Sequence, residues 1–411
     1  MLGMVSDLIA DRFRDHSFDI AKQDYKFMRI KAAKERIYKM YPDIELIDMG
    51  VGEPDIQADK GVVDVLCQEA GKLENRLYSD NGTKEFQAAA AEYLSNVFKV
   101  DNLDPYEEVL HGIGAKSILS MLPLCFINPG DITLTTLPSY PIIATHTKYL
   151  GGVVYGLPLL RSNGFYPDFS NINNIILYRS KLLYINYPNN PTGQVATKEF
   201  YKKVVDFAHK NNIVVIADST YSTIVFDGEE PLSFLSIEGA KEIGIEIHSL
   251  SKAFNMTGWR IAFAAGNPDV INILSTVKAN SDSGQFRAIQ KAGAYALRHP
   301  QISRCNVERY SRRFDLLIKV LKEIGFDVSK PKATFYCYLP IPKGTRDGVV
   351  FKDAEDFSLY LLTQAQICTV PWNTPEANVR LSVTFEAKDI EDEKRIINLI
   401  KERLLRLQLV F

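Results

Sequence analysis

Apolar residues along this chain change their period, and the changes mark out its architecture. Between positions 7 and 40 charged and apolar residues alternate at helical spacing, with Phe18, Ile20, Tyr25, Phe27, Ile30 and Ile37 as the apolar set. That pattern predicts an N-terminal arm and helix. From about residue 60 short β-branched runs take over: Ile132 to Thr135, Leu182 to Ile185, Ile213 to Ala217, Ile245 to Ile247 and Ile261 to Ala265. Several are apolar on both faces, as strands buried in a parallel sheet are, and amphipathic stretches such as Lys198 to Asn211 separate them. The predicted class is therefore α/β, a three-layer α/β/α domain with a mainly parallel central sheet. Beyond His299 the texture shifts again, to long charged helices over Val307 to Ile324 and Asp389 to Leu407. Between them Thr334 to Leu339 and Val379 to Val383 alternate like half-buried strands, which predicts a smaller α+β domain. The expected division is an arm and part of the small domain over 1–58, the large domain over 59–298 and the small domain over 299–411.

Composition narrows the function classes. The 411 residues are 46% hydrophobic, enough for a substantial core, and 48 basic against 50 acidic residues leave a net charge of -2. Such a chain has no positive field to hold a nucleic acid or an anionic membrane, so a small-molecule substrate is expected. No apolar run approaches the roughly 18 residues of a membrane span. The N-terminal stretch meets Asp11, Arg12, Arg14 and Asp15 without a long apolar segment, so no secretory leader is expected. Five scattered cysteines without a C-x-x-C pair read as free thiols in a reducing cytoplasm, with no metal site.

The strongest local signal is Ser249-Leu250-Ser251-Lys252, with Arg260 eight residues on. A lysine at the exit of a buried strand lies where open α/β sheets bind ligands, and desolvation there makes its amine a nucleophile. A lysine in isolation is usually just a solvated surface group; here two small hydroxyls and a guanidinium stand beside it, the groups a phosphate dianion needs. Asp218 ends the run Ile213 to Ala217, with Tyr221 three residues later. A carboxylate in that place is either a helix cap or the partner of a cation such as a protonated ring nitrogen. Tyr187-Pro188-Asn189-Asn190-Pro191-Thr192-Gly193 is by composition only a turn, yet it follows a strand and offers the Asn190 amide.

Taken together, in this order and spacing, these residues resemble the fold-type I, class I/II aminotransferases, over nearly the whole chain from about Asp48 to Leu407. The resemblance implies pyridoxal 5'-phosphate held covalently by Lys252, its ring nitrogen on Asp218 and its phenolic oxygen near Tyr221 and Asn190. It implies phosphate contacts from Ser249, Ser251, Arg260 and the Gly114-Ala115-Lys116 turn, with Ala115 and Lys116 at a helix start, and stacking by Tyr140. Tyr78 would reach the cofactor of a neighbouring subunit, so a homodimer with shared sites is implied. Arg380 would clamp the substrate carboxylate under a loop containing Gly52. Within the family, Tyr25 of the arm, Lys116 and the stretch 163–168 resemble the branch that transaminates LL-diaminopimelate with 2-oxoglutarate. Asp80 stands as a substitute for a glutamate missing from the Tyr78–Gly82 segment, which is one residue short. Pro371-Trp372-Asn373-Thr374-Pro375 replaces the family's Gly-Phe-Gly before the carboxylate arginine. Two other readings use the same fold: an aminotransferase of aspartate or aromatic type, or a carbon–sulfur β-lyase. An amino-acid-sensing regulator would need a DNA-binding module, for which the pattern leaves no room.

Overall fold

The computed structural model describes residues 44–411 together with 8, 10, 12, 32–37 and 39. Most of the expected arm, Tyr25 included, lies outside the described residues.

After a short strand β1 (Ile47–Asp48), seven strands form one sheet: β2 (Val109–Gly112), β3 (Ile132–Leu137), β4 (Val153–Pro158), β5 (Ser180–Asn186), β6 (Val214–Asp218), β7 (Gly244–Ser249) and β8 (Ala262–Gly266). Their order is β2-β8-β7-β6-β5-β3-β4, and only β8 runs against its neighbours. The sheet is thus mainly parallel, as the doubly apolar runs predict. β5, β6 and β7 are buried along nearly their whole length because helices cover both faces. One face packs Phe86, Tyr93, Phe200, Phe234 and Phe263; the other packs Leu119, Leu122, Ile143, Ile216 and Ile247. Local signals set the helix ends. The amphipathic Lys198–Asn211 helix starts where Thr197 accepts from the Phe200 N–H and stops where Asn212 turns left-handed, and a cap of that kind contributes about 1 kcal/mol.

A second core surrounds the sheet of β9 (Tyr336–Pro340), β12 (Val370–Trp372) and β13 (Asn378–Ser382), ordered β12-β13-β9; β10 (Gly344–Thr345) pairs with β14 (Leu409–Val410), and β11 (Ile367–Cys368) with β1. The helices Arg304–Ile324 and Ile390–Arg406 cover it, contributing Tyr310, Phe314, Leu317, Ile396 and Ile400. Arg313, 1% exposed, joins these layers to the segment leading into the large sheet. It donates to Asp55 at 2.8 Å, to Glu393 at 3.0 Å and to the carbonyls of Val383 and Phe385. None of the five cysteines is in a disulfide, and among the described residues no helix is long and apolar enough to cross a membrane.

Candidate active site

Five parallel strands end at one edge of the large sheet, and each delivers a motif residue there. β2 leads to Gly114 at φ 76°, which turns into the helix Ala115–Phe126. β3 leads to Pro138–Pro141, β5 to the Asn190 turn, and β6 ends on Asp218. β7 ends on Ser249, whose hydroxyl caps the short helix carrying Lys252. The cleft at this edge has a volume of about 760 Å³ and is lined by Lys252, Ala115, Lys116, Tyr140, Asn190, Asp218, Tyr221, Ser249, Ser251 and Arg260, together with Gly52 and Arg380. Open α/β sheets bind ligands at this edge because strand ends and helix N-termini leave directed polar groups there.

Lys252 is mostly buried, and burial pulls its amine down to about 8, while Glu53 pushes the other way and the cations Arg380 and Arg260 add to the fall. Its Nζ donates to the Gly52 carbonyl at 2.5 Å. Asp218 is 5% exposed. Its carboxylate accepts from Tyr184 Oη at 2.9 Å and from the Thr220 hydroxyl and N–H at 2.6 and 3.1 Å. Burial raises its pKa against these bonds, because all three donors are neutral and a buried carboxylate asks for a cation. The Thr220 bonds make a local turn, so the capping character expected from the sequence is present as well.

At the other end, Arg260 sits at φ 58°, a region few non-glycine residues adopt. Its guanidinium takes the place a side chain at Gly114 would fill: a Cβ there would lie 2.2 Å from Nη2. Arg380 donates to Asn190 Oδ1 at 3.1 Å and to the Gly50 carbonyl at 2.9 Å, and its guanidinium lies 4.1 Å from the Tyr336 ring centre. Its Nε is buried without a partner. Asn190 is itself held by the Asn186 side chain, which accepts from its N–H at 2.9 Å and donates to the Asp218 carbonyl at 2.8 Å. Tyr221 and Tyr336 meet hydroxyl to hydroxyl at 3.1 Å.

Two expected site residues do not face this cleft. Tyr78 is 79% exposed, and Asp80 lies on the same outward segment, its carbonyl held by the buried Lys278. Three residues of the site carried no signal in the sequence: Thr220 and Tyr336, which line the cleft, and Tyr184, which reaches it through Asp218; Pro371 and Trp372, marked out in the sequence only as a departure from the family pattern, line the cleft too. Thr220 stands two places from Asp218 and an Asx turn there could have been suspected; Tyr184 and Tyr336 needed the strand register.

Residues 44–397 match the family model described as aminotransferase class I and II. The chain is 50% identical to the LL-diaminopimelate aminotransferase of Methanococcus maripaludis, with all of both chains covered. It is 51% identical to that of Methanocaldococcus jannaschii, covering 95% of this chain and 93% of the other. Among solved structures, substrate-bound BacF from Bacillus subtilis superposes with a TM-score of 0.85 at 32% identity, covering 94% of this chain and 95% of that one.

Proposed function

This chain belongs to the class I and II aminotransferases, enzymes that work with pyridoxal 5'-phosphate, and from that premise we propose that it moves an amino group between LL-diaminopimelate and 2-oxoglutarate in lysine and peptidoglycan-precursor synthesis. The observation that carries the reading is one cleft with a buried carboxylate at one side, two guanidinium groups at the others and a lysine of depressed basicity among them.

The residues present fit the cofactor. Asp218 has only neutral donors, and a protonated ring nitrogen supplies the missing cation. The missing side chain at Gly114 lets the Arg260 guanidinium lie against the start of the Ala115 helix, and these two line the cleft with Ser249 and Ser251, a donor set that would hold a phosphate. Tyr140, Tyr221, Asn190 and Lys116 line the same cleft; in this reading Tyr140 would stack on the ring, Tyr221 and Asn190 would donate to its oxygen, and Lys116 would add positive charge. Bound there, pyridoxal phosphate supplies an aldehyde carbon for the amino group and an electron sink for the electrons of the α-carbon–hydrogen bond.

The chain's own groups do the rest. Arg380 exchanges its bond to the Gly50 carbonyl for the substrate's α-carboxylate and so orients the α-carbon. Lys252 Nζ, as a free amine, would take the proton from the α-carbon and return it on the far side of the amino nitrogen. Asp218, kept ionised by the charge opposite it, holds the site's electrostatics through both half-reactions. Water would release the carbon skeleton as a 2-oxo acid while the amino group stays with the cofactor, and a second 2-oxo acid would take that amino group up with loss of a water, so the kinetics are expected to be ping-pong.

Both substrates carry a second polar end, and the outward segment with Tyr78 and Asp80 belongs, in this reading, to the cleft of a neighbouring subunit of a homodimer. Tyr25 of the arm joins them there, and the enzyme works in the cytoplasm. A site that hydrogen-bonds a polar end rejects analogues lacking it by about 10⁴-fold. An amino-donor panel with 2-oxoglutarate tests this: LL-diaminopimelate is expected to lead, with lysine and phenylalanine poor. Preference for aspartate, tyrosine or alanine would overturn the substrate while leaving the transamination. Release of pyruvate from cystathionine would favour the β-lyase.

A further inference from the structure

The guanidinium of Arg260 reaches the Gly114 turn from a residue whose backbone is left-handed, with φ 58°. A non-glycine residue keeps that conformation where its surroundings over-determine it. The side chain's own bond, from Nη1 to the Thr257 carbonyl at 2.9 Å, is local and does not fix the backbone. Gln285 does. Its amide nitrogen donates to the Trp259 carbonyl at 2.7 Å and to the Arg260 carbonyl at 2.8 Å, so one NH₂ group grips two successive peptide units.

The rest of Gln285 is held as firmly. With both N–H groups used, its Oε1 is left as an acceptor and meets His111 Nε2 at 3.0 Å. His111 is therefore the Nε2–H tautomer, and burial, which pulls its pKa down to about 4, keeps it neutral. The Gln285 carbonyl accepts from Ser79 Oγ and Gln290 Nε2, each at 2.8 Å. The preceding Gly284, at φ 81°, packs so closely on the Ser79–Asp80 segment that a Cβ would lie 2.6 Å from the Asp80 nitrogen. Gln285 thus stands on β2 through His111 and on the outward segment through Ser79, and reaches across to set the Arg260 backbone.

We propose that Gln285 is a positioning residue for anion binding: its side-chain amide holds Arg260 in the left-handed conformation that aims the guanidinium at the phosphate side of the cleft. The proposal rests on reading that side as the phosphate site. Gln285 touches neither cofactor nor substrate, and its effect passes wholly through Arg260.

The test is a double-mutant cycle on the full-length chain stripped of cofactor, titrated with pyridoxal phosphate by absorbance and with inorganic phosphate by calorimetry. Gln285→Met keeps the shape and removes the amide. It is expected to weaken both ligands about tenfold in the otherwise unchanged chain and less than twofold in an Arg260→Leu background, since the group it positions is then gone. A scaffold residue would instead lower affinity equally in both backgrounds, and that result, or an unchanged affinity in the first, overturns the proposal. If Arg260→Leu by itself leaves phosphate affinity unchanged, the phosphate reading of the cleft fails, and the proposal with it. Should Gln285→Met not fold, Gln285→Met with His111→Phe leaves no unpaired N–H behind and carries the same cycle.

Discussion

On the proposed reading Lys252 is the group whose state sets the chemistry, and its amine can be titrated directly. Burial holds it near 8 instead of 10.5. At pH 7 a lysine of that basicity is about 10% unprotonated, against about 0.03% for an ordinary one, a gain of roughly 300-fold in nucleophile. The cofactor-stripped chain, mixed with pyridoxal phosphate between pH 6 and 10, should become yellow at a rate that climbs with pH and levels off near 8. Borohydride reduction and peptide mapping should then find the adduct on Lys252. The neighbours fix the sign of two further changes. Arg380→Leu removes a cation that disfavours the ammonium form and should move the midpoint up; Glu53→Gln removes the anion that favours it and should move the midpoint down. A midpoint near 10.5, equal shifts of one sign in both variants, or an adduct on another lysine would refute the argument.

Asp218→Asn keeps the shape and the two Thr220 bonds on Oδ1, turns the contact with Tyr184 Oη into one the amide donates, and removes the charge, so kcat should fall by about 10² to 10³, roughly 3–4 kcal/mol, while the cofactor stays bound through the phosphate side; a near-normal kcat would make Asp218 a structural cap only. Asp55→Asn leaves Arg313 buried beside one carboxylate instead of two, and should cost about 3–5 kcal/mol in urea denaturation, where a loss under about 1 kcal/mol would contradict it. Asp80→Asn, chosen because Asp80 sits at φ 29° where asparagine is also tolerated, should lower kcat/KM for LL-diaminopimelate about tenfold more than for glutamate. Equal losses for the two donors would remove Asp80 from substrate recognition.

The sequence made the interior strands legible and left the flanking ones hidden, for a physical reason. β5, β6 and β7 lie in the middle of the sheet, buried on both faces, and read as unbroken apolar runs. β2 is four residues long with a histidine and a glycine, and β4 is an edge strand containing Gly156 and Pro158, so neither shows a period to detect. The long charged helices were each found within three residues at either end, since their apolar stripes face the second core. The Asp55–Arg313–Glu393 network was out of reach: its members are 258 and 80 positions apart and only the packed layers bring them together.

The same contrast divides the site. Motifs at the ends of β5, β6 and β7 were readable because a parallel sheet sends every strand end to one edge, so order along the chain becomes proximity in space. The carboxylate end obeys no such rule. Arg380 comes from β13 of the smaller sheet, Tyr336 from β9 two rungs away, and Gly50 and Gly52 from the segment after β1. They meet because the Ser382 N–H donates to the Met49 carbonyl at 2.7 Å and Arg313 anchors Asp55 further along. Trp372 stands opposite Asn378 on the same small sheet, two residues from Arg380, with its indole N–H buried and unpaired. The wall beside the carboxylate arginine is therefore set by pairing within the small sheet. On the proposed reading, the replacement of a glycine-rich stretch by Pro371-Trp372-Asn373 therefore bears on the room beside Arg380, where the α-carboxylate would bind, more than on the cofactor side, which is built on the other sheet.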